Sequence, residues 1–201
     1  MKKIISLLIL FIVIVSSPLT ADSDLAVIGM AGGYSSKDGT ALLGFNGLYS
    51  YYASVDPSFG IGYGLKGDFL FGLNHPDDLL LSFGFITGLG LQFQFINGLS
   101  LNLLLGPAVV AETGVGEPSV GIGVGLDTSL SYFIGESKAV GFTVGATVYP
   151  QFFVFDDIRD THFSIMANGY IGMALRFPAS LIVIPVLDYI LDWRTRIIFS
   201  S

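Results

Sequence analysis

The segment Phe59–Leu73 alternates with a period of two. Odd positions carry Phe59, Ile61, Tyr63, Leu65, Gly67, Phe69, Phe71 and Leu73. Even positions carry Gly60, Gly62, Gly64, Lys66, Asp68, Leu70 and Gly72. Side chains alternate across a strand, so the two sets lie on opposite faces. In a water-soluble sheet the apolar face turns inward and a charged face meets solvent. This chain offers no such surface, since only 12% of its residues are charged. The pattern therefore fits a closed barrel with lipid outside and a polar lumen.

Composition supports that reading. Mean hydropathy is +0.71, too high for an ordinary soluble domain. A helical span needs about 20 mostly apolar residues in a row. After the first stretch of the chain, glycine and polar residues interrupt every such run, and 26 glycines disfavour helix. An oily chain without spanning helices must satisfy its backbone by closing a barrel. Its 201 residues suffice for one domain.

Residues 1–21 read as a cleaved signal peptide. Lys2 and Lys3 form a positive start, Ile4 to Val15 an apolar run, and Thr20-Ala21 a small-residue cleavage region. The alternative is an uncleaved anchor, for which the apolar run is short. With no cysteine, disulfides and thiolate metal sites are excluded. Of nine basic residues, seven remain after Lys2 and Lys3 are removed, against sixteen acidic ones, a net charge of minus nine. Such a chain has no basic stripe for nucleic acid.

Eight strand segments follow within residues 22–177. They are Leu25–Tyr34, Ala41–Val55, Phe59–Leu73, Leu79–Ile96, Leu99–Glu112, Ser119–Ile134, Ala139–Phe155 and Phe163–Phe177. Asn97-Gly98 is a strong hairpin signal. The first strand alternates least clearly. Pro107 and Pro150 fall in the outer halves of ascending strands, where a missing ladder bond and a bulge are expected. With both termini in the periplasm, outward aromatics fall at two levels. Tyr51, Phe59, Phe95, Tyr132 and Phe177 lie toward the periplasmic ends, while Phe71 lies toward the outer ends. Two girdles are what a barrel needs at its membrane interfaces. The expected fold is all-β: a transmembrane antiparallel up-and-down barrel of eight strands. Ten are possible if residues 178–201 add two. Otherwise that tail forms an interfacial helix.

The leading segment, the alternating strands, the girdles and the strand end Gly172-Met173-Ala174-Leu175-Arg176-Phe177 resemble the small outer-membrane barrels of the OmpA and OmpX type. The resemblance spans roughly Leu25 to Phe177. It implies eight antiparallel strands, residence in the outer membrane of a double-membraned bacterium, and assembly by the barrel-assembly machinery, which reads an aromatic-ended strand. The chain departs from that pattern in its short outer loops and in continuing past Phe177.

Lys66, Asp68, Asp127 and Arg176 all fall on inward faces. A lone buried charge is very costly, so these four are expected to form a lumen charge network. A plug of salt bridges is favoured over a selectivity ring. Inward Leu48, Tyr52, Leu70, Ile86, Phe133, Tyr149, Phe153 and Tyr170 either fill the lumen or line a route for an apolar solute. Gly60, Gly62, Gly64 and Gly121, Gly123, Gly125 sit inside strands with no following helix, so they are not phosphate loops.

His162 and Ser164, two apart on one face, resemble the His-x-Ser pair of outer-membrane lipid A deacylases. Ile165 stands where that pattern has Asn, and no Glu follows. Asp156, Asp157, Asp160 and His162 share one loop, and His75, Asp77 and Asp78 another. A solvated acidic surface is favoured there over divalent-metal binding. No catalytic residue, cofactor or metal is expected. The expected role is structural or surface-interacting, in contact with outer-membrane lipid or lipopolysaccharide, as a monomer. A narrow channel for small solutes, apolar ones included, is the alternative, and a lipid-modifying enzyme the third reading.

Overall fold

The computed structural model describes residues 23–36, 39–72, 80–96, 98–113, 118–155 and 163–177. Expectations about residues 1–21 and 178–201 lie outside them. So do those about His75, Asp77, Asp78, Asp156, Asp157, Asp160 and His162, and about the Phe153 side chain.

Eight strands run in order: β1 (Ser23–Ser35), β2 (Thr40–Asp56), β3 (Phe59–Gly72), β4 (Leu81–Ile96), β5 (Leu99–Thr113), β6 (Ser119–Ile134), β7 (Val140–Phe155) and β8 (Ser164–Phe177). Each pairs antiparallel with the next, and β1 pairs with β8 from Asp24↔Phe177 to Ser35↔Met166. The strand ends differ by a residue or two from those expected. Closure overturns the ten-strand alternative: with β1 paired to β8, no edge is left for a ninth strand.

The stagger of the barrel can be traced through paired residues. Asp24 leads to Tyr51, Tyr63, Leu89, Leu105, Leu126, Val148 and Ala167, and returns to β1 at Tyr34, ten residues beyond Asp24. Eight tilted strands enclose an interior just wide enough for side chains to fill.

The faces sort as an inverted protein requires. On β6, Val120, Ile122, Val124, Leu126, Leu130 and Tyr132 are exposed, while Asp127, Ser129 and Ser131 are buried. β1 is also regular, although its sequence obscures this. Ile28, Met30 and Tyr34 are exposed, but the inward residues Leu25, Val27 and Ala31 are themselves apolar. Both faces being apolar hides the period.

The two prolines act differently. Pro150 lies next to a register shift opposite Ile122/Gly123, the expected bulge. At Pro107 the β4–β5 ladder lapses between Ile86↔Ala108 and Leu89↔Leu105, yet the register is the same on both sides. Pro107 has no N–H to give, and the strand passes over the missing bond without bulging. Pairing to β6 continues at Pro107↔Val124. Gly98, at φ 91°, supplies the left-handed residue of the β4–β5 turn.

Candidate functional site

Lys66 and Asp68 are two apart on β3 and therefore point the same way. Asp127 faces them from β6. Their exposures are 1%, 0% and 1%. Lys66 Nζ lies 3.0 Å from Asp68 Oδ1 and 3.6 Å from Asp127 Oδ1. It also stands 4.0 Å from the centre of the Tyr170 ring. One ammonium thus serves two carboxylates, and the cluster carries a surplus negative charge.

Neutral donors surround that surplus. The Tyr149 hydroxyl and Asn168 Nδ2, the latter at 3.1 Å, donate to Asp68 Oδ2. The Thr147 hydroxyl donates to Asp127 Oδ1 at 2.7 Å, and the Tyr170 hydroxyl to Asp127 Oδ2 at 3.0 Å. Hydrogen bonds to a carboxylate are roughly twice as strong as neutral ones, so these donors offset much of the desolvation. β3, β6, β7 and β8 all contribute, which ties opposite walls together.

Glycine makes room for the two tyrosines. A Cβ at Gly84 would sit 2.9 Å from Tyr149 Cζ, and one at Gly145 would collide with the Tyr170 ring. Part of the glycine alternation is therefore a set of cradles for aromatic rings inside the lumen.

Polar and apolar layers flank the cluster. On the periplasmic side, Gln92 Nε2 donates to Asn102 Oδ1 at 3.0 Å, and Asn102 Nδ2 donates to Ser131 Oγ at 3.2 Å. Ser131 Oγ donates in turn to Thr143 Oγ1 at 3.1 Å. On the outer side Leu42, Leu70, Leu80, Ile86, Val110 and Met166 are buried together. The inward residues Leu48, Tyr52 and Phe133 are buried as well. The lumen at these levels is filled by side chains.

Arg176 does not join the cluster, which corrects the four-residue grouping. It is six residues beyond Tyr170 on β8, roughly 20 Å along the strand at about 3.3 Å per residue. Its guanidinium lies 4.1 Å from the centre of the Phe133 ring. Parity puts a residue on a face and says nothing of its height. The same limit hid Thr147 and Asn168, and made Tyr149 and Tyr170 read as filler rather than as donors. Ser164 is buried, with its hydroxyl 3.3 Å from that of Ser36.

The outer face carries aromatics in registered rungs. Phe45, Phe69 and Phe83 are paired in turn across β2, β3 and β4. Toward the periplasmic end, the Phe59 and Phe93 rings are 5.1 Å apart, and those of Tyr51 and Tyr63 are 6.2 Å apart. Phe71 packs edge-on against Phe69 at 4.9 Å. Phe95 and Tyr132 are exposed, and Phe177 is half-buried at the end of β8. Cross-strand aromatic pairs of this kind stabilise sheets and suit a membrane interface.

Neither a family model nor a curated protein matches the chain. Solved structures do. Ail, the attachment invasion locus protein of Yersinia pestis, matches with a TM-score of 0.53 at 15% identity, covering 78% of this chain and 99% of that one. The neisserial surface protein A, NspA, matches with a TM-score of 0.50 at 15% identity, covering 78% and 96%. At such identities the likeness is one of fold. The closed eight-stranded barrel, its apolar outer belt and these likenesses agree: the chain has the fold of the small outer-membrane β-barrels of the OmpA and OmpX type.

Proposed function

We propose that this barrel serves the outer membrane as a structural, surface-interacting element and does not conduct solutes. The observation that carries the reading is the filled lumen at the level of Lys66, Asp68 and Asp127, where Tyr149 and Tyr170 complete the closure. A narrow channel needs continuous lumen space, which this cluster takes up. In this reading residues 1–21 direct export and are removed, and the barrel-assembly machinery inserts the chain. The monomer meets membrane lipid and lipopolysaccharide on its outer surface and performs no catalysis.

Conductance in planar bilayers tests the proposal. The wild-type barrel should show no steady current in either salt or sugar-polymer exclusion assays. Stable wild-type single-channel openings would sink the closed reading and leave the channel alternative in its place.

A further inference from the structure

We propose that the inner wall of β1 carries a hydration site, in which trapped water bridges Asn46 of β2 and Asn168 of β8 beside Asp68. Both asparagines point into the lumen and are buried, each 4% exposed. Asn46 is paired with Asp68 across β2 and β3, and Asn168 Nδ2 donates to Asp68 Oδ2 at 3.1 Å. An ionised carboxylate only accepts, so that bond fixes the Asn168 amide and turns its Oδ1 away from Asp68. Asn168 Oδ1 then has no partner among the described residues, and neither has Oδ1 or Nδ2 of Asn46. β1, β2, β3 and β8 are continuous on every side of these atoms. A buried amide left without a hydrogen bond is costly, and such groups are satisfied by protein or by ordered water.

The wall between the two amides is low. β1 lies between β2 and β8, and its inward residues here are Gly29, Ala31 and Gly33. Gly29 is paired with Asn46 on one side and with Gly172 on the other, and Gly33 is paired with Asn168. A Cβ on Gly29 would stand 2.5 Å from the Ile171 carbonyl oxygen and 2.7 Å from Asn46 Oδ1. Asn46 Oδ1 is therefore aimed over a floor from which only the Ala31 methyl rises. The residual exposure of the two asparagines opens onto the lumen, whereas Lys66 and Asp68 beside them keep 1% and 0%. The unpartnered atoms are two acceptors and a donor. A cation would satisfy the oxygens and leave Asn46 Nδ2 unmet. An anion would add to the surplus negative charge of the Lys66 cluster. Water is neutral, donates and accepts, and makes about three hydrogen bonds in buried polar sites. Donating to Asn168 Oδ1, it also polarises that amide and strengthens its bond to Asp68. The buried carboxylate is thereby hydrated through the asparagine.

The site adds to the closed-lumen reading, and its test reads water rather than current. Water-selective NOE and ROE spectra of the full-length, nitrogen-15-labelled protein in detergent micelles would detect it. We expect cross-peaks from water to the side-chain amide protons of Asn46 and Asn168, with the sign of a residence longer than nanoseconds. Asn46→Leu removes both polar atoms at similar size and should abolish the Asn168 cross-peak. Asn46→Ser keeps a hydroxyl and adds room, and should retain that cross-peak, which leaves a readout where the Leu variant does not fold. Wild-type spectra without these cross-peaks would overturn the proposal. So would a direct contact between the two amides in their place, water of only short residence, or an Asn168 cross-peak unchanged by Asn46→Leu. Long-lived cross-peaks together with a steady bilayer current would sink the closed reading and leave the hydration site standing.

Discussion

Lys66 on β3 reaches across the lumen to Asp127 on β6, with Nζ 3.6 Å from Oδ1. This contact joins strands that are not neighbours in the sheet. It closes the interior in a way that backbone pairing alone cannot, because ladder bonds link only adjacent strands. The shorter contact to Asp68, at 3.0 Å, is local to β3.

Lys66→Ala should therefore destabilise the barrel strongly. It leaves two buried carboxylates with only neutral donors. Breaking a buried ion pair on one side typically costs about 3–5 kcal/mol, against about 0–1 for an exposed pair. Urea unfolding in detergent would measure it. In a Lys66→Ala/Asp127→Asn double variant, much of the loss should return, because the surplus charge is smaller. A Lys66→Ala barrel as stable as wild type would remove the cluster from any account of closure.

Asp56 gives a prediction at the periplasmic β2–β3 turn. Its carboxylate accepts the Ser58 hydroxyl and amide, and those bonds hold its pKa below the usual carboxylate value. A lowered folded value means the turn's extra stability is fully present above the unfolded pKa. It is lost as pH falls through the folded one. Carboxyl chemical shifts followed through an acid titration should place the Asp56 midpoint below that of a model peptide. Ser58→Ala should move it back up. An unchanged midpoint in that variant would contradict the turn geometry.

Much of this architecture is legible in the chain because lipid leaves few options. Alternation, missing helical spans and the scarcity of charge require a closed barrel, and parity then sorts inward from outward residues. Height within the lumen is another matter. It depends on the stagger of ten residues around the barrel, which no single strand encodes. That is why Lys66, Asp68 and Asp127 share a level while Arg176, of the same parity class, sits at the mouth. It is also why Tyr149 and Tyr170 looked like apolar filler. Their hydroxyls meet Asp68 and Asp127 only once the strands are staggered. β1 was obscure for a simpler reason: Leu25, Val27 and Ala31 make its inner face as apolar as its outer one.

The lipid face should show a depth dependence. Leu126 lies mid-strand on β6, and Ile134 ends the same strand at its periplasmic turn. Both are exposed on the outer surface. An arginine near the bilayer midplane costs about 2–4 kcal/mol, falling to about 0–1 near an interface. Leu126→Arg should thus lower folding free energy in lipid vesicles by the larger amount, and Ile134→Arg by the smaller. Equal penalties at the two positions would mean that the membrane is not where the apolar belt puts it.

Two glycines separate backbone permissiveness from space-making. Gly67 is on the outer face, and a Cβ there would meet nothing within 4 Å. Gly67→Ala should be neutral or slightly stabilising, because alanine restricts the unfolded chain. Gly145 is on the inner face, where a Cβ would run into the Tyr170 ring. That ring cannot swing aside freely, since its hydroxyl is tied to Asp127 and its face covers Lys66. Overpacking a filled interior typically costs about 1–3 kcal/mol, and here it also removes a donor from a buried carboxylate. Gly145→Ala should therefore destabilise, and Tyr170→Phe in the same background should cost less than it does in wild type, because the displaced hydroxyl no longer contributes. Unfolding free energies of the four proteins would decide. If Gly145→Ala matched Gly67→Ala, or if the Tyr170→Phe cost were the same in both backgrounds, the cradle between Gly145 and Tyr170 would be wrong.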